Sequence, residues 1–284
     1  MNRRYFLRTA FGAAGALASR PLWGTGSQKA TDVVLLGPDK IRLTRLAIGT
    51  GTKGGSRQRL LGLQGVADML HFGYDQGLFF WDTADSYKTH PHVKQALTQV
   101  PREKVTILTK TRAQTAEEMR ADLDRFRQEL NTDYLDVVLL HACTSATWPD
   151  QRKGAMEALA EAREKKLVRT HGVSCHSLQA LQTAAKTPWV RVDLARINPA
   201  GILMDDKPDT VVGVLREMKA AGKGVIGMKI LGEGGLRERV DEGLRYALAL
   251  DCVDCFTIGP ENRDELADLI RRIPANSAAA AKAA

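Results

Sequence analysis

The chain has 284 residues, 44% of them hydrophobic and 26% charged. That is enough for one large core and too few for two full-sized enzyme domains with a linker. The formal charge is +8, but Lys and Arg are interleaved with Asp and Glu and no basic tract carries aromatics, which argues against nucleic-acid binding and leaves room for small anionic ligands.

The N-terminus reads Asn2-Arg3-Arg4-Tyr5-Phe6-Leu7-Arg8, followed by a weakly apolar stretch rich in Ala and Gly, Thr9 to Ala18. An Arg pair ahead of an aromatic, Phe and Leu resembles a bacterial twin-arginine export signal. Ala16-Leu17-Ala18 places small residues where a signal peptidase cuts, so residues 1–18 are expected to be a leader and the protein to be periplasmic or otherwise exported. The export machinery is then its first partner. Loss of Arg3, Arg4 and Arg8 with the leader lowers the formal charge to +5. The apolar stretch is shorter than the ~20 residues a permanent membrane helix needs, and no later segment qualifies, so no stable membrane insertion is expected.

Residues 19–31 are rich in Gly, Ser and Thr and read as a linker. From Asp32 to Leu43, two short apolar runs flank Gly37-Pro38-Asp39, a hairpin signature. Strand and helix patterns then alternate. Strands are expected at Leu46–Gly49, Leu78–Asp82, Val105–Thr109, Leu135–Leu140, Val168–Val173, Val190–Ile197, Gly224–Met228 and Val253–Ile258. Helices are expected at Ala116–Leu130, Gln151–Lys166, Thr210–Ala221 and Asn262–Arg272 among others, with Asp209 as an N-cap and Gly222 as a C-terminal stop. Eight strands, each followed by a helix, predict an α/β fold, a single (β/α)8 TIM barrel over residues 32–274 with a short N-terminal β-hairpin. An open doubly wound sheet would carry G-x-G-x-x-G after its first strand. Here Gly49-Thr50-Gly51-Thr52-Lys53-Gly54-Gly55 does not match it. Residues 275–284 are Ala-rich and read as a disordered tail.

Barrel enzymes carry reactive side chains at the C-terminal ends of their strands. Three successive apolar strands end in ionisable groups: Asp82, with Tyr87 five residues on, then Lys110, then His141. Singly, such residues are more often caps or packed side chains. Together they point to proton-transfer chemistry, because an ammonium beside a phenol favours the phenolate, a carboxylate holds that ammonium in place, and an imidazole can donate to a substrate oxygen. The cysteines Cys143, Cys175, Cys252 and Cys255 form no zinc or iron–sulfur frame, and the lone Cys252-x-x-Cys255 lies in an apolar run that reads as packing.

Asp82-Thr83-Ala84-Asp85-Ser86-Tyr87, Thr109-Lys110-Thr111 and Leu139-Leu140-His141 together resemble the aldo-keto reductase superfamily, over about Arg45 to Arg272. The resemblance implies an NAD(P)H-dependent oxidoreductase acting on a small carbonyl or alcohol substrate. Asp82, Tyr87, Lys110 and His141 would form its catalytic tetrad, with Tyr87 as general acid. It also implies cofactor contacts from Gly51 and Thr52 after the first barrel strand, and from Ser174 and Cys175 after the fifth. Met228, Lys229, Leu231 and Gly234 would follow from the seventh, and Gly259, Asn262 and Arg263 from the eighth. Glycines in such loops let backbone N–H groups approach a phosphate. Family habit favours NADP(H) over NAD(H).

The sequence departs from the family pattern at three places. Cys175 stands where Asn usually follows the Ser, Leu194 where a Gln often holds the carboxamide, and Glu261 where a basic residue often meets the ribose 2′-phosphate, with Arg263 or Lys229 as possible substitutes. Two other classes remain open on the sequence. One is a non-catalytic binding protein that kept the barrel. The other is a metal-dependent hydrolase or isomerase using His90, His92, His141, Cys143, His171, Cys175 or His176.

Overall fold

The computed structural model describes residues 27–283. The expected leader and most of the expected linker lie outside the described residues. The first elements are β1 (Val33–Leu36) and β2 (Ile41–Thr44), an antiparallel hairpin turning at Gly37. Eight strands follow: β3 (Leu46–Gly49), β4 (Phe80–Asp82), β5 (Thr106–Thr111), β6 (Leu135–Cys143), β7 (Val168–Cys175), β8 (Val192–Arg196), β9 (Gly224–Met228) and β10 (Cys255–Ile258). They close into a parallel barrel in which β10 pairs with both β9 and β3. The helices are α1 (Ser56–Arg59), α2 (Gly62–Asp75), α3 (His90–Ala96), α4 (Ala116–Leu130), α5 (Trp148–Gln151), α6 (Lys153–Glu164), α7 (Leu178–Lys186), α8 (Pro208–Ala220), α9 (Val240–Ala249) and α10 (Arg263–Ala283). The predicted (β/α)8 barrel with its hairpin is the observed fold.

Strand alternation divides the apolar residues into two cores. Ala47, Phe80, Leu108, Val137, Leu139, Val192, Leu194 and Ile226 fill the barrel interior, while Ile48, Trp81, Ile107, Val138, Leu140 and Val173 face the helices. Each large side chain so buried contributes about 1.5–3 kcal/mol. The hairpin plugs the N-terminal end of the barrel, adding Leu36, Ile41 and Leu43 to the interior core. Its turn is pinned by Asp39, which accepts from Thr170 Oγ1 (2.6 Å), from both Arg191 Nη2 (2.7 Å) and Nε, and from Arg163. Gly37 has φ +60°, and a Cβ there would press on the Arg191 carbonyl at 3.0 Å.

Several boundaries differ from expectation. Pro208 opens α8 with Lys207 as N-cap, so Asp209 sits inside the first turn rather than capping it. Gly222 does follow that helix in the left-handed region, φ +76°. β6 runs on past Leu140 to Cys143 through a register shift, with Ala142 at φ 53°. The Ala-rich C-terminus is helical through Ala283. Asn276 holds it, donating to Asp241 Oδ1 (2.8 Å) and to the Arg272 carbonyl (3.0 Å) and accepting from Arg245 (3.0 Å). The end of the expected linker is also tied down, since Gln28 N donates to Ser277 Oγ (2.9 Å) and Ser27 Oγ to the Pro274 carbonyl (2.7 Å). All four cysteines are buried free thiols, and Cys252 precedes β10 instead of lying on it. Among the described residues no helix is long and apolar enough to cross a membrane.

Candidate active site

The period-2 alternation that points Phe80, Leu108 and Leu139 into the barrel also points inward the residue two further along each strand. Those residues are Asp82, Lys110 and His141. Barrel stagger raises them in steps, because Asp82 pairs in register with Leu108 and Lys110 with Leu139. The result is an ascending row of carboxylate, ammonium and imidazole at the C-terminal mouth. Tyr87 reaches it from a 3₁₀ turn, Asp85–Tyr87, just past β4.

Lys110 is fully buried, and its three N–H protons each have an acceptor. They go to Asp82 Oδ1, the Thr83 carbonyl (2.8 Å) and the Tyr87 hydroxyl oxygen (3.4 Å). Thr257, inward on β10, donates to the other Asp82 oxygen at 2.9 Å. The Lys110 nitrogen also lies 4.7 Å from the centre of the Tyr87 ring. Gly51 packs flat against that ring, where any Cβ would collide with it.

Burial alone would lower the Lys110 pKa, but Asp82 and Tyr87 outweigh it and hold the ammonium above its ordinary value. For Tyr87 the balance goes the other way. Sequence reasoning expects Lys110 to bring the phenol pKa down. Burial raises it further than Lys110 lowers it, so the phenol stands above its ordinary value. His141 packs edge-on to Tyr87, ring centres 5.8 Å apart, with its Nδ1 3.3 Å from Ser86 Oγ. Burial first, then the Lys110, His176, Arg112 and Arg152 charges, push His141 down to about 2, so it is neutral at ordinary pH. His176, whose ring lies 6.1 Å from His141, is pushed down to about 4 by burial and by Arg196.

From Asp82, Tyr87 and Thr257 a cleft of about 410 Å³ leads away between the β3, β9 and β10 loops to α10. Gly51, Thr52, Met228, Lys229, Leu231, Gly234 and Gly259, which the sequence analysis assigns to the cofactor, line it. Four other predicted contacts do not. Ser174 is fully buried, facing inward near the C-terminal end of β7, with its hydroxyl 3.5 Å from His176. Cys175, the next residue, faces outward into the helix-side core. Asn262 uses its Oδ1 to accept from Glu265 N (2.8 Å) at the start of α10. Arg263 is stacked on Phe72, 4.4 Å from the ring centre. Leu194, in the carboxamide-holding position, is a barrel-interior residue with no polar atom to offer.

The sequence reading missed Thr257, Ser86 and Glu233. Thr257 was detectable as the one polar inward position of β10. Glu233 accepts from Lys53 N (3.1 Å) and pairs with Lys229 (2.8 Å), a contact between two loops far apart in sequence that leaves no local signal. The expected metal alternative finds no frame, since among the described residues no group of three potential ligands converges. His90 is committed to Glu129 (2.6 Å) and Thr109 (2.8 Å).

The cleft fits an extended dinucleotide. Its β9 loop, from Lys229 to Gly234, carries four residues in the left-handed region: Lys229, Gly232, Glu233 and Gly234. The N–H groups of Ile230 and Leu231 in that loop have no partner among the described residues, which suits a diphosphate. The family model for the aldo/keto reductase family matches residues 45–269. The chain belongs to the aldo/keto reductase family. The probable aldo-keto reductase 1 of Glycine max is 22% identical over 216 residues, which cover 71% of this chain and 60% of the soybean protein. A solved aldo-keto reductase-type structure from Pseudomonas aeruginosa superposes with a TM-score of 0.74 at 20% identity, covering 88% of this chain and 97% of its own. The holo form of an aldo-keto reductase from Bacillus halodurans gives 0.70 at 16% identity, covering 89% and 95%. At these identities the two structures speak to the fold.

Proposed function

We propose that this chain is a nicotinamide-dependent oxidoreductase that reduces an aldehyde, ketone or sugar-type carbonyl, with Tyr87 as the proton donor. One observation carries the reading. All three Lys110 protons are spent, one of them on the Tyr87 oxygen. An ammonium has no acceptor, so the phenol must direct its own proton elsewhere, and the open side is the cleft. A nicotinamide bound in the cleft supplies the hydride. Because its pKa is raised, Tyr87 is protonated at neutral pH and able to give that proton to a developing alkoxide, a far stronger base. Lys110 then stabilises the phenolate left behind. Neutral His141 has its Nδ1 3.3 Å from Ser86 Oγ, and in the tautomer in which Ser86 donates to that nitrogen the proton on Nε2 orients the carbonyl oxygen. In the oxidative direction Tyr87 takes the proton back.

Replacing Tyr87 with Phe removes the proton and little else. Turnover of a carbonyl panel, followed by nicotinamide absorbance, is expected to fall by roughly 10²–10⁴-fold with the circular dichroism spectrum unchanged. Turnover at the parent level would remove Tyr87 from the mechanism. Wild-type binding of dinucleotide without turnover on any carbonyl would favour a binding protein instead. The reading extends to export, on the strength of the Arg3-Arg4 leader. Arg3→Lys with Arg4→Lys is expected to retain the protein inside the cell, as judged by fractionation.

A further inference from the structure

The cleft has two chemically different ends. Hydride and proton must reach the same carbonyl, so the nicotinamide belongs beside Tyr87 and the adenosine ribose belongs at the other end, against Glu261 and α10. Along α10, Glu265, Asp268, Leu269 and Arg272 recur at helical spacing and face the cleft, and Glu261 stands just ahead of them. We infer that Glu261 reads the ribose 2′ position and that this enzyme selects NAD(H) over NADP(H), against the habit of its family.

A 2′-phosphate is a near-dianion and needs an uncommitted guanidinium or ammonium. The guanidiniums that line this end, Arg237 and Arg272, both lie beside carboxylates, Arg237 at a distance too long for a hydrogen bond. Arg237 and Arg57 both lie 3.7 Å from the same Glu261 oxygen. Arg272 is held by Asp241 at 2.9 Å and by Asp268 at 2.5 Å. Of the two residues that could have compensated, Lys229 is paired with Glu233, and Arg263, stacked on the Phe72 ring, does not line the cleft. A phosphate here would sit beside Glu261 and compete with it for Arg237 and Arg57, with Glu265 and Asp268 close by. A free 2′-hydroxyl meets the opposite situation, since a carboxylate accepts its proton directly.

This inference rests on the oxidoreductase reading, and binding separates the two. Intrinsic tryptophan quenching of the full chain, titrated with NADH and with NADPH, is expected to give a Kd for NADH lower by about tenfold or more, the effect of one charge-assisted hydrogen bond gained against one repulsion. Glu261→Gln removes the carboxylate that Arg57 and Arg237 face and is expected to narrow or invert that ratio, mostly by tightening NADPH. The rise in melting temperature with each dinucleotide gives a second readout that needs no catalysis and reports whether the variant is folded. NADPH binding as tightly as NADH, or a ratio unmoved in folded Glu261→Gln, overturns the inference and leaves the oxidoreductase reading standing. Failure of both dinucleotides to bind overturns both.

Discussion

Tyr87 lies between two opposed effects. Burial disfavours its anion, and Lys110 beside it favours that anion. Burial prevails in the resting protein, which keeps the proton in place, while Lys110 limits the rise. Lys110→Met therefore has a signed consequence. The phenol pKa should rise further, so in alcohol oxidation, where the phenolate acts as base, the pH profile of kcat/KM should move to higher pH and its plateau should fall. The same change strands the buried Asp82 carboxylate, a loss of about 3–5 kcal/mol when one partner of a buried pair is removed, measurable by urea denaturation. Asp82→Asn should be milder on stability, because an amide oxygen can still accept from Lys110. A pH profile in Lys110→Met superimposable on the parent's would separate the ammonium from the phenol's titration.

Among the elements, the two ends of the barrel do different work. The N-terminal end is closed by the hairpin, and Asp39 fastens it to β7, α6 and the segment before β8 through Thr170, Arg163 and Arg191. Those partners hold the Asp39 carboxyl far below the usual carboxylate range despite its partial burial. Asp39→Ala is expected to lower stability by about 3 kcal/mol by leaving two arginines unpaired, with kcat and dinucleotide affinity unchanged because the site is at the opposite mouth. A large loss of kcat in the folded variant would show the plug to be coupled to the site. The C-terminal helix makes the complementary case. Asn276→Ala removes three hydrogen bonds, two of which tie α10 to α9, and should cost about 1–3 kcal/mol, read as a lower denaturation midpoint.

For the molecule as a whole, buried neutral histidines set the acid limit of stability. His141 and His171 are pushed down to about 2 and about 4, both first by burial. Below the ordinary histidine pKa of about 6.5, the unfolded chain binds protons that the folded chain refuses. The histidine contribution is therefore complete above that value and falls as the pH drops, by about 1.4 kcal/mol per pH unit for each histidine until its folded pKa is reached, offset over the same range by one buried carboxyl, Asp193, pushed up to about 8 by burial. The melting temperature should decline steadily from pH 7 to pH 5, and a His171→Phe variant should decline less steeply. A melting temperature flat over that interval would show that these rings are not buried neutral in solution.

The sequence by itself determined the barrel. Strand and helix periodicity are local, so eight alternating units, the Gly37-Pro38-Asp39 turn and the extents of β3, β9 and α4 could all be read from neighbouring residues. It also determined the row of Asp82, Lys110 and His141, because each ends an apolar strand two positions beyond an inward residue, and parity alone fixes the face. What only the tertiary structure decided depends on groups distant in the chain. Whether Tyr87 is more or less acidic than a free phenol turns on how deeply it is buried. The helical course of the Ala-rich end turns on Asp241 and Arg245, which lie a helix away. The outward turn of Cys175, the stacking of Arg263 on Phe72 and the approach of two arginines to Glu261 are likewise set by which surfaces meet when the barrel closes, and no local pattern encodes that.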